Sequence, residues 1–181
     1  KVGQLLLCAR QHGPLQRQSA QLMQKKIHHT SSTSLTDLVS NADIVISVAS
    51  SIINNDDLVG LRKHAIVCDA GYPKNLQSTH MQNHERLFYG GMGILTEGFT
   101  FENNAQDILY KFPLSQVSHG CLIESAVLAL EKKYCPFSSG KGNITVKAMD
   151  EILAMAGKHG IKTAPLFNSS LISEDRHKEV V

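Results

Sequence analysis

Asp43-Ile44-Val45-Ile46-Ser47-Val48-Ala49-Ser50 and, further on, Ala65-Ile66-Val67-Cys68-Asp69 decide the fold of this chain. Both are short and nearly continuously apolar rather than alternating. That is the pattern of parallel strands covered on both faces. A helical turn over Asn54 to Leu61 separates them. Upstream, Leu5-Leu6-Leu7-Cys8-Ala9 repeats the pattern, and Lys26-Ile27-His28 reads as a weak, short strand. Downstream, Leu87-Phe88-Tyr89 adds another. Pro14 suits the first turn of a helix running through Met23. Ser34-Leu35-Thr36-Asp37 has the spacing of a capping box and starts a short helix ending near Asn41. Strand, short helix, strand in succession predicts an α/β fold: a Rossmann-like, doubly wound, mainly parallel sheet.

Beyond Tyr89 the pattern changes. Thr96 to Val117 reads as mixed loop and short helix. A helix over Gly120 to Tyr134 follows, with Leu122, Ala126, Ala129 and Leu130 at helical spacing. A Ser/Gly loop leads to a second helix, Thr145 to His159, with Val146, Met149, Ile152 and Leu153 on one face and Gly160 placed to end it. Residues 1–167 are expected to form one nucleotide-binding domain, and 168–181 a polar, frayed tail. A doubly wound domain opens with a strand, a Gly-rich turn and a helix. Gly-x-Gly-x-x-Gly is nowhere here, so the sheet lacks its first strand and phosphate loop, which are expected upstream of Lys1.

The bulk numbers narrow the function classes. A chain of 181 residues with 42% hydrophobic and 19% charged residues can bury a domain-sized core. A net charge of +2 calls for neither nucleic acid nor an anionic membrane. No apolar run approaches the roughly 20 residues that span a bilayer. No signal peptide is visible, and a cytoplasmic location is expected. Cys8, Cys68, Cys121 and Cys135 form no C-x-x-C pair, which suits a reducing compartment. Cys8 and Cys68, in apolar runs, are expected to be buried and inert. His28-His29 and the other histidines lack ligand spacing, so no metal is expected.

The candidate site residues cluster at strand ends, where open α/β sheets bind ligands. Arg10 follows the first strand seen. In dinucleotide folds an acidic residue at that place favours NAD, whereas Arg accommodates the 2′-phosphate of NADP; otherwise Arg10 is a solvated surface cation. Ala49 and Ser50 close the strongest strand with side chains small enough for a dinucleotide to approach, or mark a plain exit. Asp69, Gly71, Tyr72, Pro73 and Lys74 form a dense turn, with Asp69 and Lys74 able to meet ribose, nicotinamide or substrate. The alternative is a rigid surface turn with an Asx-type cap. Gly90-Gly91-Met92-Gly93 suggests close passage of a ligand over the backbone, or a hinge.

Cys121 lies where a loop turns into the Gly120 helix. A thiol in a first helical turn meets unpaired N–H groups and the positive end of the macrodipole, which favour the nucleophilic thiolate. Against this, free cysteines are usually buried and inert. Glu124 falls on the same helical face, and His119 precedes by two residues as a candidate acid/base or orienting group.

These segments together resemble the cyanobacterial long-chain acyl-[acyl-carrier-protein] reductases, which make fatty aldehydes. The likeness runs from Leu5 to about Ile161. It is carried by Leu5 to Arg10, Ala42 to Ser50, Asp69-Ala70-Gly71-Tyr72-Pro73-Lys74-Asn75-Leu76, Gly90-Gly91, Cys121-Leu122-Ile123-Glu124-Ser125-Ala126, and Ser139 to Thr145. The resemblance implies a Rossmann-like domain binding NADPH and a cysteine, matched by Cys121, that takes the acyl group as a thioester. It implies an acyl carrier protein or coenzyme A thioester as substrate. The family's Glu three residues on matches Glu124, and its strand-end Arg matches Arg10. The family's N-terminal substrate-handling region has no counterpart here. Met92-Gly93-Ile94-Leu95 replaces a Val-Val-Glu-His-like stretch, and Thr96 to Val117 diverges.

The expected function is NADPH-dependent reduction of an acyl thioester to an aldehyde through acyl-Cys121. The alternatives are an NAD(P)-dependent dehydrogenase of a small polar substrate with no covalent step, and a non-catalytic nucleotide-binding module. The oligomeric state, a homo-oligomer included, is left open by the sequence.

Overall fold

The computed structural model describes residues 3–49, 51–71, 74–76, 86–99, 115–138, 144–165, 167–168 and 170–171. They form a mixed α/β structure that divides into two compact units, at the step from Phe88 to Tyr89. Tyr72, Pro73 and Ser50, and most of the stretch 96–117, lie outside the described residues.

The first unit begins with strand β1 (Leu5–Cys8), helix α1 (His12–Gln24) and strand β2 (His29–Ser32). β1 and β2 pair in parallel, Leu5 opposite His29 through Cys8 opposite Ser32. The expected strand at Lys26 to His28 is therefore displaced. Lys26 takes a left-handed turn (φ 56°) that ends the helix, and the strand begins beyond it. Helix α2 is only Thr36–Val39. The capping box expected at Ser34 is not formed: Leu35 is the cap residue, in helical geometry, and Asp37 instead accepts a hydrogen bond from Ser32 Oγ at 2.7 Å. Strand β3 (Ile44–Ser47), a 3-10 turn (Asn55–Leu58) and strand β4 (Ile66–Asp69) follow, with β3 and β4 parallel and Ile44 opposite Ile66. Strand β5 (Leu87–Tyr89) completes a sheet of order β3-β4-β5.

One face of that sheet is packed. Val39, Leu58, Val67, Leu76 and Leu87 form a core, with Val45 and Ile53 against it. The other face is open on β3: Ile44 and Ile46 are 61% and 66% exposed. Each full burial of such a side chain is worth about 1.5–3 kcal/mol, so an uncovered pair on a parallel strand is a sizeable deficit. The parallel pairs β1-β2 and β3-β4 belong to separate sheets, and among the described residues β1 and β3 are each paired on one edge only.

The second unit is antiparallel where it has a sheet. Strand β6 (Met92–Leu95) lies between β7 (Val117–His119) and β8 (Ile161–Thr163). Met92 faces His119, and Gly93 faces both Ser118 and Thr163. This departs from the mainly parallel expectation, and it makes Met92-Gly93 a strand rather than part of a ligand loop. Gly93 is explained by packing, since a Cβ there would come within 2.4 Å of Ile123 Cδ1. Helices α3 (Gly120–Leu130) and α4 (Val146–Lys158) cover the sheet. Their core is Ile123, Val127, Leu128, Met155, Ala156 and Ile161. The inward faces are rotated from those expected: Leu130, Val146, Met149 and Leu153 are exposed. Thr145 Oγ1 caps α4 by accepting from the Ala148 N–H at 3.2 Å, and Gly160 (φ 73°) ends it. Strands β9 (Phe167–Asn168) and β10 (Ser170–Leu171) form a small antiparallel pair.

Ion pairs tie the helix ends. Glu131 accepts from Lys158 Nζ at 2.8 Å and meets His159 Nε2 at 2.9 Å, and Lys133 pairs with Glu151. Among the described residues no helix is long and apolar enough to cross a membrane.

Candidate functional site

The candidate residues fall into two groups, one in each unit.

The first group surrounds the exits of β3 and β4. Asp69 ends β4 with no exposed surface. Its Oδ1 accepts from the Gly71 N–H at 3.0 Å, and its Oδ2 accepts from the N–H groups of Asn75 and Leu76 at 2.7 and 2.9 Å. Three backbone donors on one carboxylate fold the turn back over the strand end, as an enlarged Asx turn. In this conformation the buried carboxylate builds the turn. Lys74 donates from Nζ to the Asp69 carbonyl at 3.0 Å, so its cation is held at the same strand end.

Asn75, 1% exposed, was quoted in the sequence motif but not singled out. Its Oδ1 accepts from Ser47 Oγ at 3.0 Å, and its Nδ2 donates to the carbonyls of Ala49 and Ser51 at 2.9 and 3.1 Å. Gly71 belongs to the same arrangement. A Cβ at Gly71 would lie 1.9 Å from Asn75 Oδ1. Glycine is needed here to clear a buried amide, which accounts for Gly71 without a ligand. The signal available in sequence was Asp69 and Gly71 followed by a short polar side chain four residues on.

Arg10 is exposed just beyond β1, and Ala49 is half-buried just beyond β3. An exposed guanidinium at a strand end is a residue type able to pair with a phosphate or carboxylate. The Gly-rich pyrophosphate turn has no counterpart among the described residues. A recess of about 310 Å³ between α1 and β2, lined by His12, Ser19, Met23 and Ser31 among others, includes none of the candidate residues.

The second group surrounds the start of α3. Cys121 is the second residue of this 11-residue helix, and its thiol side chain is exposed. The alternative of a buried thiol therefore does not hold for Cys121. The burial expected of Cys8 is not observed either, since Cys8 is exposed, while Cys68 is half-buried. Desolvation, then the Asp57 and Asp37 carboxylates, push the Cys8 thiol up. Desolvation does the same for Cys68, with Lys74 opposing. Both stay protonated at neutral pH.

The helix start is fixed by glycines. The Gly120 N–H donates to the Gly91 carbonyl at 2.7 Å, and a Cβ at Gly120 would meet that oxygen at 3.0 Å. Gly91 itself is left-handed (φ 69°). The Gly90-Gly91 step therefore positions the cysteine helix. The next N–H groups, beginning with Cys121, have no carbonyl of their own helix to bond, and His119 at the cap makes no side-chain capping bond. Positive backbone charge thus gathers beside the thiol. Ser125 Oγ donates to the Cys121 carbonyl at 3.1 Å. Glu124 accepts from Ser138 Oγ, which turns its carboxylate toward the loop after α3. His119 is buried at 8% exposure. Ser118, beneath the helix, buries a hydroxyl that has no hydrogen-bond partner among the described residues.

No family model matches the sequence. Over 169 residues the chain is 27% identical to the long-chain acyl-[acyl-carrier-protein] reductase of Synechococcus elongatus, covering 91% of this chain and 47% of that protein. The chain spans about half the length of the curated relative it matches. At this identity the relationship is distant.

Proposed function

We propose that the protein reduces an acyl thioester to an aldehyde with NADPH, through an acyl group carried on Cys121. The observation that carries the proposal is the exposed thiol in the first turn of α3, held by the Gly91–Gly120 contact. The distant likeness to an acyl-[acyl-carrier-protein] reductase supports the same reading.

Cys121 thiolate attacks the carbonyl carbon of the thioester. A carbon–sulfur bond forms to Cys121, the bond to the carrier sulfur breaks, and that thiolate leaves and takes up a proton. N–H groups at the start of α3 stabilise the oxyanion that develops during attack. When bound, NADPH supplies the hydride that reduces the carbonyl carbon. Cys121 then departs as thiolate, the aldehyde is released, and the residue is ready for another acyl group. Glu124, held by Ser138 Oγ, and buried His119 flank Cys121 in sequence.

Cofactor binding is assigned to Arg10, for the 2′-phosphate, and to Ala49, Ser50, residues 71–74, Gly90 and Gly91. The fold is read as doubly wound, with β2-β1 and β3-β4-β5 as its flanks. A central strand between β1 and β3, carrying the Gly-rich turn, would complete the order typical of dinucleotide folds. The edges that β1 and β3 leave unpaired among the described residues support this. An acyl carrier protein or coenzyme A is the proposed carrier.

Mass spectrometry of the protein after incubation with an acyl thioester tests the reading. The expected result is one acyl adduct on Cys121, none in Cys121→Ala, and aldehyde formation only with the thiol and NADPH present. Cys121→Ala with undiminished aldehyde production would refute it.

A further inference from the structure

We propose that Asn75 is a positioning residue that sets the β3 exit for the cofactor; the proposal rests on the NADPH reading above. At least five hydrogen bonds meet at this one buried residue. Besides the three of its side chain, its N–H donates to Asp69 Oδ2 at 2.7 Å and its carbonyl accepts from the Ile53 N–H at 3.0 Å. They join the end of β3, the turn after β4 and the chain leading to the 3-10 turn.

The direction of these bonds matters more than their number. Both amide hydrogens go to main-chain carbonyls in an irregular segment, which no strand or helix ladder would otherwise orient. In a planar trans peptide the carbonyl and the N–H point opposite ways. Turning the Ser51 carbonyl onto Asn75 therefore turns the Ile52 N–H away from it, and Ile52 is 59% exposed. The clamp thus decides which backbone donors the β3 exit presents, at the sheet edge where open α/β folds take their ligands. Asn75 would act through these backbone groups rather than on the cofactor directly. Gly71, whose missing side chain leaves room for the amide, is the second part of the device.

The test separates the two half-reactions in the intact full-length protein. Asn75→Asp keeps an acceptor for Ser47 but replaces the two amide donors with an oxygen facing two carbonyls. The KM for NADPH should rise about tenfold or more, as expected for losing two oriented hydrogen bonds. The rate of Cys121 acylation by an acyl thioester, which needs no cofactor, should stay within about twofold of the parent, because its groups lie elsewhere. Val67→Ala, which weakens the same unit from its core, should leave the NADPH KM within about twofold. Where Asn75→Asp yields too little folded protein, Asn75→Ser carries the same comparison with the same expected split. An unchanged NADPH KM in an otherwise active protein would overturn the positioning role alone, as would a parallel fall in acylation and reduction. A parent protein that uses no NADPH would overturn the cofactor reading, and the clamp's role with it.

Discussion

Replacing Gly71 with alanine should cost the first unit most of what the Asn75 side chain provides. The new Cβ would sit 1.9 Å from Oδ1, 2.6 Å from Cγ and 2.9 Å from Nδ2, so the whole amide group must leave its place. No left-handed φ is involved at Gly71, so the effect is steric. Three side-chain hydrogen bonds go with it, those to Ser47, Ala49 and Ser51. At about 1 kcal/mol each, the loss is about 3 kcal/mol, or more if the carbonyls stay buried and unpaired. With a urea slope of about 2 kcal/mol/M, the unfolding midpoint should fall by about 1.5 M. A double-mutant cycle followed by circular dichroism isolates the cause. Asn75→Ala removes the same bonds and the same obstacle. In that background Gly71→Ala should cost nothing further, and can return about 0.4–1 kcal/mol by restricting the unfolded chain. The two substitutions should therefore couple by about 3 kcal/mol. Additive losses, or a Gly71→Ala protein with an unchanged midpoint, would refute the steric argument.

Alkylation at neutral pH should modify Cys121 well before Cys8 and Cys68, whose thiols are pushed up by desolvation; peptide mapping against time reads the order, and prior labelling of Cys8 would contradict it. Glu131 has its carboxyl lowered, chiefly by hydrogen bonds from Lys158 and His159. A lowered folded pKa means stability that is present above the unfolded carboxylate pKa of about 4.3 and lost as pH falls through the folded value. Glu131→Gln should therefore cost stability at neutral pH and above, and converge on the parent below about pH 4, so that the acid limb of the profile flattens; denaturant midpoints across pH read it, and a loss confined to acid pH would contradict it. Arg10→Glu should raise the KM for NADPH at least about tenfold and that for NADH far less, since a charge-assisted phosphate contact is worth about 1.5–3 kcal/mol; equal changes for both cofactors would remove Arg10 from the 2′-phosphate.

The apolar runs at β1, β3 and β4 were legible because parallel strands need apolar side chains on both faces, and so stand out without periodicity. β2 was not: His29-Thr30-Ser31-Ser32 is polar, and it pairs with β1 through backbone bonds that leave no mark on composition. β6 hid inside Gly90-Gly91-Met92-Gly93 because its Gly93 answers to Ile123, a residue of another element. The inward face of α3 was misplaced for a related reason. Leu122, Ile123, Ala126, Val127, Leu128, Ala129 and Leu130 surround that helix with apolar residues, so spacing cannot choose a face. The slot beside Gly93 chooses Ile123 and Val127. The same holds for α4, where an apolar arc wider than the contact leaves Val146, Met149 and Leu153 outside. At the site, Cys121 was legible from its place at a helix start. The meaning of Asp69, Gly71 and Asn75 was not, because their partners are main-chain groups that any sequence would supply.

The residues proposed for the cofactor and those proposed for the thiol chemistry fall in two compact units, and this division carries a consequence for the proposed mechanism. Arg10, Ala49, Gly71 and Lys74 belong to the unit ending at Phe88, and Gly91, Cys121 and Glu124 to the one that follows. Taking an acyl group needs only the thiol and the donors at the start of α3. Reducing it needs the cofactor residues as well. Substitutions in the first unit should then depress the reductive step alone, and acyl-enzyme should accumulate. Substitutions around Gly91 and Gly120, which hold the thiol in its field, should depress acylation and leave cofactor binding intact. Gly120→Ala, whose Cβ would press on the Gly91 carbonyl at 3.0 Å, is the sharpest case, because backbone cannot yield as a side-chain tip can. A protein in which both half-reactions always fell together would be one in which the cysteine and the strand-end turn serve a single packed structure rather than two steps of one reaction.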